Sequence, residues 1–149
     1  MSWVLNPLMP EQRVTPKQRR TVTKRAKGCC EYCHSQARFA TQPFAVEHII
    51  PRYANGKTRL DNLALSCFGC NSYKHTKIRA IDPETGKEMP LFHPRQQSWS
   101  EHFAWDTSFT LIIGQTATGR ATVETLKLNR PELVNLRRVL YIVGEHPPQ

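Results

Sequence analysis

The sequence predicts an α+β fold in which short strands and helices surround a structural metal site. Two Cys-x-x-Cys pairs, Cys30/Cys33 and Cys67/Cys70, supply four thiol groups, and the residues between them alternate between strand and loop patterns. Hydrophobic residues make up only 39% of the 149 residues, and eleven residues are prolines. This composition indicates a small apolar core and much irregular chain, for which a bound metal would compensate. The length is that of one ordinary domain.

The charge balance indicates the kind of partner. The formal net charge is +9 and the pI is near 9.7, which is typical of proteins that bind nucleic acid. A basic protein that binds nothing acidic is the plain alternative. No stretch approaches the roughly 18 consecutive apolar residues of a membrane span, and the N-terminus lacks the pattern of a signal peptide. We therefore expect a cytoplasmic protein with no membrane partner, in a compartment where disulfides are disfavoured.

Residues 1–28 are expected to form a basic lead-in followed by a short helix. Trp3 is expected to pack on the domain. Thr15-Pro16 suits an N-cap followed by the first helical position, and Gly28 suits the end of the helix. Residues 17–27 hold six cations and no acid, which suits either a solvated face or contact with phosphates.

Residues 29–80 are expected to form the core of the domain. Runs of apolar and β-branched residues indicate two strands that pair with each other, and turn-forming residues separate them. The second cysteine pair then turns the chain into a helix. The predicted order is a strand over residues 44–50, a loop over 51–61, a strand over 63–66 and a helix over 71–78.

Residues 81–149 are expected to form a small α+β extension packed on the core, so that the whole chain is one compact domain. The predicted elements are a loop over 81–90, two strands within 99–105 and 109–115, a helix within 118–126 and a final helix from Pro131. Apolar residues at three- and four-residue spacing predict that the final helix is amphipathic. These residues are Leu133, Leu136, Val139, Leu140 and Val143.

The four paired cysteines predict a structural zinc site. A gap of two residues lets two thiolates of one tight turn reach the same tetrahedral ion, whereas Cys29 is left over and is assigned to packing. The alternatives are a redox dithiol and two independent disulfides. A redox motif normally occurs singly, and disulfides are disfavoured in the cytosol, so zinc is the favoured interpretation.

The adjacent Glu47 and His48 are candidates for catalysis. A histidine with an ordinary pKa near 6.5 is largely neutral at pH 7 and can take a proton from water. Carboxylate and asparagine oxygens are hard ligands that suit Mg²⁺ or Mn²⁺ beside a phosphate. Taken alone, the Glu-His pair is more typical of a structural histidine, and only the surrounding residues favour the catalytic interpretation.

Three segments together resemble the motif of the HNH endonucleases, the ββα-metal or His-Me finger nucleases. They are Glu47-His48-Ile49-Ile50-Pro51, Asp61-Asn62-Leu63 and Cys67-x2-Cys70-Asn71-x2-Lys74. With Cys30-Glu31-Tyr32-Cys33 upstream, the chain looks like the branch of the family that carries a four-cysteine zinc site, and it is similar to a bacterial subgroup. The resemblance covers residues 30 to about 78 and implies a ββα-metal core.

The resemblance also implies a role for each matching position. His48 would be the general base, and Asn62 would be structural, holding the loop so that His48 is aimed correctly. Glu47, where the family commonly has aspartate, and Asn71, in place of the final histidine, would hold a catalytic Mg²⁺ or Mn²⁺. Lys74 would meet a phosphate, with a solvated lysine as the alternative.

The implied activity is metal-dependent hydrolysis of phosphodiester bonds in DNA, with RNA as a second substrate class. The cations Arg52, Lys57 and Arg59 would hold the nucleic-acid backbone, and His75 would contact metal or phosphate. One alternative is a catalytically inactive, zinc-containing module that only binds nucleic acid, and another is a thiol redox protein. The sequence does not distinguish a monomer from a homodimer.

Overall fold

The computed structural model describes residues 13–149, so Trp3 lies outside the described residues. Short helices alternate with three two-stranded antiparallel sheets in this part of the chain. The elements in order are α1 (Pro16–Arg25), β1 (Ala45–His48), β2 (Leu63–Ser66), α2 (Phe68–Lys74), β3 (Arg79–Ile81), β4 (Glu88–Pro90), α3 (Trp99–His102), β5 (Phe103–Trp105), β6 (Ile112–Gly114), α4 (Ala117–Thr125) and α5 (Pro131–Ile142). The predicted α+β class is confirmed.

Helix α1 begins where the sequence predicts. The Thr15 hydroxyl accepts a hydrogen bond from the Gln18 backbone N–H at 3.1 Å, and the Gln18 side chain accepts one from the Thr15 N–H at 2.9 Å. This reciprocal capping box satisfies two backbone donors that the first turn would otherwise leave unpaired. The helix ends at Arg25, before the expected Gly28, because Lys27 and Gly28 both have left-handed φ angles.

Strands β1 and β2 pair as predicted. They are antiparallel, and the register places Val46 opposite Leu65 and His48 opposite Leu63. Strand β2 is buried along its whole length, which explains its apolar composition. The loop between the strands passes so close to β1 that a Cβ on Gly56 would lie 1.7 Å from the Ile50 carbonyl oxygen. Only glycine fits at this position.

Helix α2 differs from its predicted range of residues 71–78. It begins at Phe68, inside the second cysteine pair, and ends at Lys74. Cys67 is the N-cap, and its sulfur accepts a hydrogen bond from the Cys70 N–H at 3.4 Å, so the cysteine turn is also the first turn of the helix. The helix stops early because His75 has a φ of +49°.

The extension contains a hairpin where the sequence predicted a loop over 81–90. Strands β3 and β4 pair around a turn that Asp82 organises, since its carboxylate accepts a hydrogen bond from the Thr85 hydroxyl at 2.7 Å. Arg120 on α4 donates two further hydrogen bonds to the same carboxylate, each at 2.9 Å. The sequence contains recognisable turn residues here, but each strand has only three residues, which is too short for an alternating pattern to predict a strand.

Two further elements of the extension differ in detail from the sequence-based prediction. The first predicted strand, 99–105, starts as the helical turn α3, and only β5 pairs with β6. In α5 the predicted apolar face is partly wrong, because Val139 and Val143 are 59% and 63% exposed. The buried face instead includes Arg137, which donates hydrogen bonds to two backbone carbonyls at 2.8 and 2.9 Å.

The main apolar cluster is shared between residues 29–80 and residues 81–149. Buried residues of both parts are in contact: from the first Cys30, Tyr32, Cys33, Ile49, Ala64, Cys67 and Cys70, and from the second Leu91, Phe92, Phe103, Ile112, Leu126, Leu128 and Leu133. Within residues 13–149, no helix is both long enough and apolar enough to cross a membrane.

We expect a fragment that ends at residue 80 not to fold on its own, even with zinc supplied. The fragment would expose Tyr32, whose ring packs edge-on against Phe92 of the extension, and a unit this small has little other apolar surface to bury. Circular dichroism during a thermal melt and zinc content after gel filtration would measure this. A fragment that melts cooperatively and keeps zinc would show that the core is an independent domain and that the single-domain assignment is wrong.

Candidate metal centre and active site

Four cysteine side chains meet at one buried point. The sulfurs of Cys30, Cys33, Cys67 and Cys70 all lie within 4.8 Å of one another, and Cys33 Sγ and Cys67 Sγ are 3.6 Å apart. A tetrahedral zinc with Zn–S bonds near 2.3 Å places its sulfurs about 3.8 Å apart, so the arrangement fits this ion. All five cysteines of the chain are free, so two independent disulfides do not describe this structure.

The local backbone explains how the first cysteine pair reaches the site. Residues 30–35 form a tight turn in which the Cys30 N–H donates to the Ser35 carbonyl at 2.8 Å and the His34 N–H donates to the Cys30 carbonyl at 2.9 Å. His34 closes the turn with a left-handed φ of 62°. The turn directs both sulfurs inward. Cys29, just outside it, is half-buried and is not one of the four clustered cysteines.

An arginine of the extension completes the surroundings of the cysteine site. Arg130 Nη2 donates to Cys67 Sγ at 3.3 Å, and Arg130 Nη1 donates to Cys70 Sγ at 3.6 Å. Four thiolates around Zn²⁺ carry a net charge of −2, which a guanidinium partly offsets. Gly69 leaves room for this contact, because a Cβ there would lie 2.5 Å from the Arg130 guanidinium. Sequence reasoning missed Arg130, which lies 60 residues after Cys70.

His48 lies at the end of β1 and is held by the following loop. Its Nε2 is 2.8 Å from the Thr58 hydroxyl oxygen, and the imidazole is partly exposed. Partial burial, together with the positive charge of Arg52, lowers the pKa of His48 below its ordinary value of 6.5. The imidazole is therefore neutral at pH 7, the form that can accept a proton. Sequence reasoning missed Thr58, because a lone threonine in a basic loop carries no signal.

Asn62 fastens that loop to the end of β1. Its Oδ1 accepts a hydrogen bond from the Ile50 N–H at 2.8 Å, and its Nδ2 donates to the carbonyls of Ile50 and Lys57, each at 2.9 Å. One side chain thus bridges both ends of the loop, and Thr58 follows directly after Lys57. This is the bonding that the expected structural role of Asn62 requires.

Glu47 points to the interior, where two residues engage its carboxylate. Tyr32, which lies between two of the clustered cysteines, donates a hydrogen bond from its buried hydroxyl to Oε1. Lys74 Nζ lies 3.5 Å from Oε2. Burial raises the pKa of Glu47, and the charge of Lys74 and the hydrogen bond from Tyr32 oppose this rise. The role of Tyr32 was not found from the sequence.

The expected contact between Lys74 and a phosphate is corrected by this arrangement. The Lys74 side chain is 1% exposed, and its Nζ donates a hydrogen bond to the Ile49 carbonyl at 2.9 Å. A solvated lysine, the alternative, is wrong for the same reason. The lysine instead neutralises a buried carboxylate and ties α2 to β1.

The oxygen atoms of Glu47 and Asn71 suit a hard divalent cation. An ionised carboxylate has about four lone-pair positions, and Tyr32 and Lys74 leave positions on it free. Asn71 lies on α2, one helical turn before His75, and its side chain is partly exposed. Its amide oxygen is a ligand type that Mg²⁺ or Mn²⁺ accepts. The donor types therefore suit the expected catalytic ion, and the Glu47 carboxylate that would supply one of them is buried and also binds Tyr32 and Lys74.

The four residues expected to contact nucleic acid are exposed, namely Arg52, Lys57, Arg59 and His75. Lys57 and Arg59 flank Thr58 and line an open groove of about 580 Å³, whose other wall includes His93 and Arg95 of the extension. Arg59 also lies 3.6 Å from Asp61. The groove places cations from two parts of the chain beside the loop that holds His48.

The strand pair β1–β2, the helix α2 and the cysteine site together form a ββα-metal unit. Residues 30–77 match the family model described as HNH endonuclease, so this part of the chain is similar to HNH endonuclease domains. No curated protein and no solved structure matches the chain. Residues 78–149 lie outside the match.

We expect Cys70→Ser to abolish tight zinc binding and Cys29→Ser to leave it unchanged. Cys70 is one of four converging thiols, whereas Cys29 lies beside the same turn without joining the cluster. Elemental analysis of the purified proteins should give about one zinc per chain for the parent and for Cys29→Ser. An equal zinc content in Cys70→Ser would contradict the four-cysteine site.

Proposed function

We propose that the protein is a metal-dependent endonuclease that hydrolyses phosphodiester bonds in DNA. The observation that carries the proposal is the placement of His48, in a segment similar to HNH endonuclease domains, at the end of β1 and within hydrogen-bonding distance of Thr58. The alternative, an inactive binding module, would be favoured by a missing base or metal donor. His48, Glu47 and Asn71 are all present, which supports activity.

His48 acts as the general base in this proposal. When its Nε2–H donates to the Thr58 hydroxyl, Nδ1 keeps its lone pair and can accept a proton from water. The lowered pKa of His48 keeps the imidazole neutral, so the acceptor is available at pH 7. The activated water attacks phosphorus opposite the leaving oxygen, and the proton passes to His48.

Glu47 and Asn71 hold the catalytic ion, for which Mg²⁺ and Mn²⁺ are the proposed identities. When bound, the ion supplies positive charge that offsets the negative charge developing on the phosphate and leaving oxygens. Tyr32 and Lys74 fix the orientation of the Glu47 carboxylate. The role of Lys74 is thus to position Glu47.

The exposed cations of the loop hold the substrate. Arg52, Lys57 and Arg59 are placed to contact phosphates, which would fix the position of the strand without reading its bases. Asn62 contributes indirectly by fixing the loop on which these three cations and Thr58 lie.

We expect the purified protein to nick or cut plasmid DNA when Mg²⁺ or Mn²⁺ is added. His48→Ala should lower the cleavage rate by at least about 100-fold, since a general base contributes roughly 10²–10⁴. Gel analysis of supercoiled plasmid measures the rate, and an unchanged zinc content controls for folding. Undiminished cleavage by His48→Ala would refute the assignment of the base.

Thr58→Val and Thr58→Ser form a matched pair that tests how His48 is held. Valine keeps the shape of threonine and removes the hydroxyl, whereas serine keeps the hydroxyl. We expect Thr58→Val to reduce kcat by roughly 10-fold or more with little change in KM, because a misplaced base lowers the rate of the chemical step. Thr58→Ser should retain most activity. Equal effects of the two variants would mean that the hydroxyl has no part in catalysis.

A further inference from the structure

Most of the net positive charge of the protein lies in one segment outside the HNH match. Residues 13–27 hold seven cations and no acid, so they account for seven of the nine net charges of the chain. Helix α1 makes up most of this segment. Neither the family match nor the proposed catalytic residues give these cations a role.

Three of the cations form a stripe on the outer side of α1. Val22 is the buried residue of this helix. At 100° per residue, Lys17, Arg20 and Lys24 lie on the side opposite Val22, within about 60° of one another. All three are exposed. The ion pairs found in residues 13–149 do not include any of the three.

Both ends of α1 are tied to the segments that carry the active site. Near its start, Gln18 Nε2 donates to the Thr58 carbonyl at 3.2 Å, and the hydroxyl of the same threonine contacts His48. At its end, the Arg25 guanidinium donates to the Leu63 carbonyl, at the start of β2. The stripe is therefore held at a fixed position beside the loop that carries Thr58.

The chemistry of the segment favours duplex DNA as the partner. Binding sites for single strands combine cations with aromatic side chains on which bases stack, and residues 13–27 contain no aromatic residue. A duplex presents one phosphate charge per about 1.7 Å of its axis. The stripe spans eight residues, about 10 Å of helix, so its long side chains can reach several phosphates at once.

We propose that Lys17, Arg20 and Lys24 form a surface that binds the phosphate backbone of duplex DNA next to the cleavage site. This proposal rests on the proposed nuclease function and adds that the substrate is duplex DNA. It assigns α1 the task of holding the duplex, whereas the loop cations hold the strand that is cut.

The test compares two triple variants that remove the same charges. One replaces the stripe with glutamine (Lys17→Gln, Arg20→Gln, Lys24→Gln). The control replaces three exposed cations of the extension (Lys87→Gln, Lys127→Gln, Arg138→Gln), which also removes two lysines and one arginine. Both are made in the His48→Ala background, and binding of a labelled 20-base-pair duplex is measured from 50 to 300 mM NaCl without added divalent metal. A thermal melt of each variant verifies folding.

We expect the stripe variant to lose at least about 10-fold in duplex affinity at 100 mM NaCl. Its salt slope should fall by up to roughly 2.7, since each phosphate contact contributes about 0.9. The control should change affinity less than about 3-fold. An equal loss of duplex affinity in both variants would show that only the total charge matters and would overturn the proposal. An unchanged affinity of the stripe variant would also overturn it. A loss seen only with single-stranded DNA or RNA would overturn the choice of duplex.

Failure of this inference can be told apart from failure of the nuclease assignment. Binding is measured under conditions in which no cleavage occurs. If the stripe binds duplex DNA but the parent protein never cuts DNA, the nuclease function is refuted and the binding surface is supported. Cleavage of plasmid by the parent, with full duplex binding by the stripe variant, would refute the surface alone.

Discussion

The convergence of four buried thiols is the constraint on which the rest of the structure depends. It joins the turn at residues 30–35 to the first turn of α2, and so fixes where α2 lies against the strand pair. The buried apolar cluster around the cysteines includes residues of 29–80 and of the extension. The cysteine site is therefore both a structural centre and the point on which the two parts of the chain converge.

The extension is fastened to this centre by polar contacts as well as by packing. Arg130 donates to two of the sulfurs, and the Trp99 indole N–H donates to the Tyr32 carbonyl at 2.9 Å. Hydrogen bonds form only in a defined geometry, whereas apolar contacts alone allow small shifts of one segment against another. They place His93 and Arg95 along the groove beside the catalytic loop, so the part of the chain outside the family match contributes to the surroundings of the site.

The sequence allowed prediction of the features that short-range patterns encode. The strand pairing, the N-terminus of α1 and the four clustered cysteines follow from apolar alternation, a capping residue and a two-residue spacing. The hydrogen bonds of Asn62 are those its motif position implies. The contacts of Tyr32, Thr58 and Arg130 depend on side chains that meet only after folding, and no local pattern marks them. The burial of Lys74 is not predicted, because a lysine three residues after Asn71 has no sequence pattern that distinguishes it from an exposed lysine. Its burial depends on the carboxylate opposite.

Tyr32 links the cysteine cluster to the proposed catalytic site. The residue lies between Cys30 and Cys33, and its hydroxyl holds the carboxylate of Glu47. A zinc ion held by the four cysteines would order the turn that carries Tyr32, and the Tyr32 hydroxyl would in turn orient Glu47, a proposed ligand of the catalytic ion. Coupling of this kind is reciprocal for binding free energies, so an ion bound at the proposed catalytic site should also increase the affinity for zinc. In the proposed nuclease, zinc would then influence the reaction as well as stabilise the fold.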